Sequence, residues 1–387
     1  MRLLLQLLLA LLLATGSMPF LLRRLTYKRL HTGQLQKALN LARWFYAVSP
    51  FSARLRAEAA SLIARIYQYL RMFDRAAPYV DEAYAYYERA NPKPSFLSEV
   101  PSIKILQLFR ENQYEEAVAL AEREFELHPH LSESLTMLTG ASQVYIAVGN
   151  FAKAEELLDK VIALGRNPLA SLCIGGLVPA YRYALMTKSL CRYFQHDLIQ
   201  STMLAHEAWE SLREESPRPE PAILRAKAQI LRCLACRRLF DATYAFEQEM
   251  HKKLSLLNGY SRAFVLRALA LKALLQGKFD RARSLAEHSI ILNLDPDDYA
   301  DALLIQAGVF AARANYARTV SLCHQILDQR ANNPFYKEQA EKLLRLVAEA
   351  EMEGRSDPIL PDTWCFPEWL PRKRTVGAAD VCSRKEE

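Results

Sequence analysis

Glycine is scarce in this chain, with 12 among 387 residues. So few flexible positions exclude loop-rich and β architectures, which spend glycine on tight turns and bulges. A disulfide framework is missing too. Seven cysteines, an odd number without regular spacing, match the reduced core thiols of a helical body. Cys233 and Cys236 form a C-x-x-C, but no second Cys or His pair follows at zinc spacing. Charge of one sign is weak: 50 Lys and Arg against 43 Asp and Glu leave +7, spread along the chain. No basic stretch interleaved with aromatics occurs, so no nucleic-acid partner is expected. Catalytic signatures are absent as well: no phosphate-binding glycine loop, no H-E-x-x-H and no nucleophile elbow. Carboxylate pairs such as Glu115-Glu116 and Glu155-Glu156 open helices, where they offset the positive end of the dipole. No catalytic residue, metal, cofactor or small-molecule substrate is expected.

What the chain does contain is one phrase, repeated. A small or flexible residue is followed, two positions on, by an aromatic, and three further on by alanine. It reads Arg71-Met72-Phe73-Asp74-Arg75-Ala76, Asn112-Gln113-Tyr114-Glu115-Glu116-Ala117, Gly149-Asn150-Phe151-Ala152-Lys153-Ala154 and Gly277-Lys278-Phe279-Asp280-Arg281-Ala282. A leucine version, Gly33-Gln34-Leu35-Gln36-Lys37-Ala38, lies upstream, and degenerate copies run Leu198…Ser201, Phe240…Thr243 and Tyr316…Thr319. The first residue suits a turn with left-handed backbone between two helices. The aromatic opens the second helix, and the small residue lets the two helices approach. Upstream of most copies, a first helix carries a small residue and an aromatic three positions later: Ala64 and Tyr67, Ser142 and Tyr145, Ala307 and Phe310. Pro50, Pro92, Pro129, Pro168, Pro296 and Pro334 are expected to close most units, each ending a helix.

By these residues the chain resembles the tetratricopeptide repeat (TPR) family, over roughly residues 20 to 335. The resemblance implies an all-α, right-handed α-solenoid of about eight helix-turn-helix units. Copies are spaced by 38, 41, 37, 47, 42, 39 and 37 residues, longer than the family period of 34. The expected organisation is a hydrophobic segment at 1–22, a repeat solenoid at 23–334, a capping helix at 335–353 and a Pro-rich, disordered tail at 354–387. The cap is read from Phe335, Ala340, Leu343, Leu344, Val347 and Ala348 at helical spacing.

Residues 3 to 22 carry no charge and are rich in leucine, enough for one membrane crossing. Arg23, Arg24, Lys28, Arg29 and Lys37 follow, outnumbering the positive groups before the run. The positive-inside rule therefore places the repeats in the cytoplasm behind a single-pass anchor. The alternatives are a signal peptide cut near Ala14-Thr15-Gly16, giving an exported regulatory or sensor protein, and a buried first helix. The compact leader points to a bacterial, membrane-tethered scaffold.

The family resemblance also implies where partners bind: the inner surface, lined by each unit's first helix, takes extended peptides or helices of other proteins. Unit by unit this selects Arg65, Gln68 and Tyr69, then Phe109 and Arg110, then Gln143, then Tyr183, Met186 and Tyr193, then Arg225 and Arg232, and lastly Arg267. Arginine beside tyrosine suits acidic segments. The chaperone-tail-binding members place an asparagine mid-way along the first helix. Tyr27, Arg65, Leu106 and Gln143 stand there in this chain, which argues against such a clamp.

Overall fold

The computed structural model describes residues 17–361, apart from 32–33, 51, 71, 91–98, 130–133, 168–169, 171–176, 214–219, 258, 293–295 and 329–332. Among the described residues there is no strand. Two compact units divide the chain, residues 1–145 and 146–387.

The first unit contains α1 (Met18–His31), α2 (Leu35–Ala47), α3 (Ala53–Tyr69), α4 (Phe73–Arg89), α5 (Val100–Arg110), α6 (Tyr114–Leu127) and most of α7 (Leu135–Ala147). The pairs α1/α2, α3/α4 and α5/α6 pack internally, and α3 also touches α1 and α5, so the first helices form their own layer. The second unit contains α8 (Phe151–Gly165), α9 (Leu177–Phe194), α10 (Leu198–Arg213), α11 (Glu220–Cys236), α12 (Tyr244–Lys253), α13 (Gly259–Leu275), α14 (Phe279–Ile290), α15 (Pro296–Ala311), α16 (Tyr316–Asp328) and α17 (Pro334–Met352). Here too consecutive helices pair, and α9, α11, α13, α15 and α17 stack in turn. Within each unit the architecture is all-α, with the consecutive helix pairs of a solenoid.

The repeat phrase has the physical content expected of it. Positive φ occurs at Asn112, Gly149, His196, Arg238, Gly277 and Ala314, each two residues before the aromatic or leucine of its copy. In four of these a non-glycine holds the left-handed conformation. The small residue three positions after the aromatic or leucine is buried in every copy: Ala38, Ala76, Ala117, Ala154, Ser201, Thr243, Ala282 and Thr319. Replacing alanine by serine or threonine is tolerated because their hydroxyls find backbone acceptors. Ser201 donates to the Ser189 carbonyl at 2.7 Å, and Thr319 to that of Asn315 at 2.9 Å.

Several expectations require correction. Pro296 and Pro334 do not end helices; they are the first residues of α15 and α17, where a missing N–H costs nothing. Of the tail, residues 354–361 are described: the Ile359 N–H donates to the Ala311 carbonyl at 3.0 Å, and Tyr316 donates its hydroxyl to the Asp357 carbonyl. Residues 362–387, the rest of the tail, lie outside the described residues.

The single-pass placement is overturned. Among the described residues no helix is long and apolar enough to cross a membrane. Residues 1–16 lie outside the described part, but the end of the apolar run does not. Met18 to Leu22 form the first turns of α1, and Leu22 is buried in the core with Ala38, Leu39 and Ala42. Arg23, counted in the basic flank, instead makes an ion pair at 2.5 Å with Glu58, whose carboxylate is buried in α3. The end of the run and Arg23 therefore pack α1 against α2 and α3.

Candidate functional site

In the first unit, α3 presents Arg65, Gln68 and Tyr69 on one face, because positions three and four apart are helix neighbours. Arg65 forms an ion pair with Glu99, and its Nε donates to the Tyr69 hydroxyl at 3.3 Å. Its guanidinium lies 5.8 Å from the Tyr69 ring centre. Gln68 is spent on structure: its amide donates to the Ile103 carbonyl at 3.3 Å and ties α3 to α5. Tyr69 stays 55% exposed. Behind this face, burial pushes the Tyr27 phenol up, reinforced by Glu58 and Glu99 and opposed by Arg65 and Arg23.

At the end of α5, the Arg110 guanidinium stacks 4.5 Å above the Phe73 ring and 5.6 Å from that of Phe109. Phe109 in turn meets Tyr114 edge-on at 5.4 Å. The arginine thus holds the turn of one pair against the next. Exposed Met72 continues the apolar surface beside Phe73. Gln143, on α7, is half-buried. This unit brings five predicted residues onto two neighbouring helices, with Tyr69 as the exposed ring.

The second unit departs from expectation. Tyr183 is exposed, while Met186 and Arg225 are half-buried, with Arg225 lying 5.4 Å from the Tyr260 ring. Tyr193, Arg232 and Arg267 are buried, at 2%, 2% and 1% exposure, and so do not line an open face. Their burial has a definite cause. Asp301 of α15 accepts from Arg232 at 3.1 Å and from Arg267 Nε at 3.0 Å, and Arg267 also pairs with Asp298. The Arg232 guanidinium rests 4.7 Å over Tyr193. The start of α17 covers the assembly: Phe335 packs 5.9 Å from Tyr193 and 5.3 Å from Phe194, with Tyr336 against Phe194 at 5.7 Å. Sequence reasoning treated Phe335 as part of a cap and missed this seal. Asp297, Asp298 and Asp301 clustered after Pro296 were the available signal.

The thiols fit a structural role. Cys191, Cys233, Cys236 and Cys323 are buried thiols outside any disulfide. Burial, with the Glu155 carboxylate adding to it, pushes the Cys191 thiol up to about 12; burial alone does the same to Cys323. Among the described residues no group of three or more potential metal ligands occurs.

No family model and no curated protein matches this sequence. Among solved structures, a tetratricopeptide repeat protein from Parabacteroides merdae ATCC 43184 is 13% identical at a TM-score of 0.35, covering 86% of this chain and 100% of its own. The P58(IPK) TPR domain is 16% identical at a TM-score of 0.26, covering 86% and 99%. Naa15/Naa10 bound to HypK-THB gives 14% identity, a TM-score of 0.24 and coverage of 95% and 65%. At these scores the likeness carries no argument, and the architecture rests on the helix pairing described above.

Proposed function

We propose that this chain is a non-enzymatic scaffold that holds a partner protein against the first-helix layer of its first unit, taking a peptide or helical segment of that partner. The observation that carries this reading is Tyr69: a large ring left 55% exposed on α3, with the Arg65 guanidinium beside it. A rigid ring offers contact area at low entropy cost, and exposed tyrosine with arginine is the composition that interface centres favour. The neighbouring Phe73–Arg110–Phe109 stack is already ordered, so docking on it would cost little side-chain freedom. Affinity capture tests this with the full chain and a Tyr69→Ala/Arg110→Ala variant. Proteins held by the unaltered chain should be depleted from the variant by about tenfold or more. Equal recovery from both would contradict the reading.

A further inference from the structure

The sixth helix pair is irregular. Its second helix, α12, has ten residues and is flanked by 3-10 turns at Asp241–Thr243 and Leu254–Leu256. Its first helix, α11, packs along α13. The short α12 leaves a cavity of about 370 Å³ against the end of α13 and the start of α14, lined among others by Tyr244, Glu247, His251, Lys272, Lys278 and Arg281. Nothing in the reading of the first unit uses it.

The charges in this cavity are not balanced. Among the described residues lining it, Lys272, Lys278 and Arg281 face two carboxylates, Glu247 and Asp241. Glu247 is fully engaged, with one oxygen taking Lys272 and the other the Arg281 Nη2 at 2.8 Å. Burial pushes its carboxyl up, but these cations outweigh that and hold it below the usual range, so it stays ionised. The His251 Nε2 meets the same Arg281 Nη2 at 2.6 Å. The other edge of the Arg281 fork, Nε with Nη1, is not used by Glu247 or His251. Asp280, adjacent in sequence, turns away and pairs with Arg313 at 2.7 Å. Lys278 is exposed at the rim.

We infer that this cavity is a second docking site, taking an aspartate or glutamate side chain of an acidic partner segment. The carboxylate would lie on the unused edge of Arg281, which suits bidentate pairing, with Lys278 as the second cation. Tyr244, 64% exposed, gives the segment a ring to rest on. Gln248 and Gln276 line the same cavity and can bond a peptide backbone. An excess of one cation fits a monoanionic carboxylate better than a dianionic phosphoryl group.

Fluorescence anisotropy on the full chain tests this, with labelled Gly-Glu-Glu-Glu-Gly and Gly-Gln-Gln-Gln-Gly peptides at about 50 mM salt, where exposed charges are weakly screened. The glutamate peptide should bind about tenfold or more tightly than the glutamine one, because a neutral amide, with one accepting oxygen, cannot form a bidentate ion pair with the guanidinium. Lys278→Glu, at an exposed position that the fold does not need, should weaken it at least about fivefold with an unchanged far-UV spectrum. Equal binding of both peptides, or unchanged binding to Lys278→Glu, would overturn the proposal. So would a phosphoserine peptide binding about tenfold tighter than the glutamate one, which would reassign the site to phosphoryl groups.

Discussion

Gly149 and Gly277 stand at the same place in two copies of the repeat phrase, and both hold positive φ, at 77° and 73°. Their surroundings differ. A Cβ on Gly277 would meet nothing within 4 Å, whereas one on Gly149 would lie 2.6 Å from Pro334 Cγ. Left-handed backbone costs a residue with a Cβ about 1–2 kcal/mol, and loss of glycine freedom in the unfolded chain returns about 0.4–1. Gly277→Ala should therefore destabilise by about 0.5–1 kcal/mol. Gly149→Ala adds overpacking against a rigid proline ring at the start of α17, a further 1–3 kcal/mol or so, about 1.5–4 in all. Ala314, at φ 55° in the eighth copy, runs the other way. Ala314→Gly should stabilise by up to about 1 kcal/mol. Urea unfolding followed by far-UV circular dichroism measures all three at constant m-value. If Gly149→Ala and Gly277→Ala cost the same, Pro334 does not abut that turn. Should Ala314→Gly destabilise, the strain assigned to the phrase is wrong.

Three further outcomes follow from the packing. Ala282→Leu should cost about 1–3 kcal/mol in thermal or urea unfolding, because the buried methyl sits where α13 and α14 approach; an unchanged midpoint would refute the registration of the repeats. Asp301→Ala should cost about 3–5 kcal/mol by leaving Arg232 and Arg267 buried without their shared carboxylate. Asp301→Asn, which keeps the shape and one accepting oxygen but sets an NH2 against the other arginine, should cost less than the alanine change. With pKa values raised to about 12, Cys191 and Cys323 should react only slowly with a thiol reagent at pH 8 in the folded chain and rapidly in urea. Peptide mapping that finds either one modified at once in the native protein would contradict the burial described.

The repeat was legible because its signal is local. A turn residue, a helix opener and a small residue lie within six positions, and each does its work on its immediate neighbours. His196, Arg238 and Ala314 show the limit of that signal: they take the glycine's conformation without being glycine, so units five, six and eight looked degenerate although their turns are the same. Long-range pairing was not legible. Arg232 and Arg267 look like groove residues on their own helices, and only α15, 69 and 34 residues beyond them, supplies the carboxylate that takes them inside. Tyr193 was misplaced for a similar reason, since Phe335 covers it from the far end of the second unit. The anchor reading failed at the end of the apolar run, because hydropathy cannot tell a membrane crossing from the opening turns of a packed helix, which Met18 to Leu22 form. Leu22 and Arg23 are claimed by α2 and α3. The cavity beside α12 left only a faint trace, a Thr243 where the phrase asks for alanine.

The claim that the first unit's exposed face holds a partner is tested most directly by placing a photo-crosslinking amino acid at Tyr69 and, separately, at Ile291, an outlying position 77% exposed on the second unit. The account predicts that position 69 yields a discrete crosslinked protein in cells, abolished when Arg110→Ala is added, while position 291 yields none. Crosslinks of equal yield from both positions, or none from position 69, would contradict it.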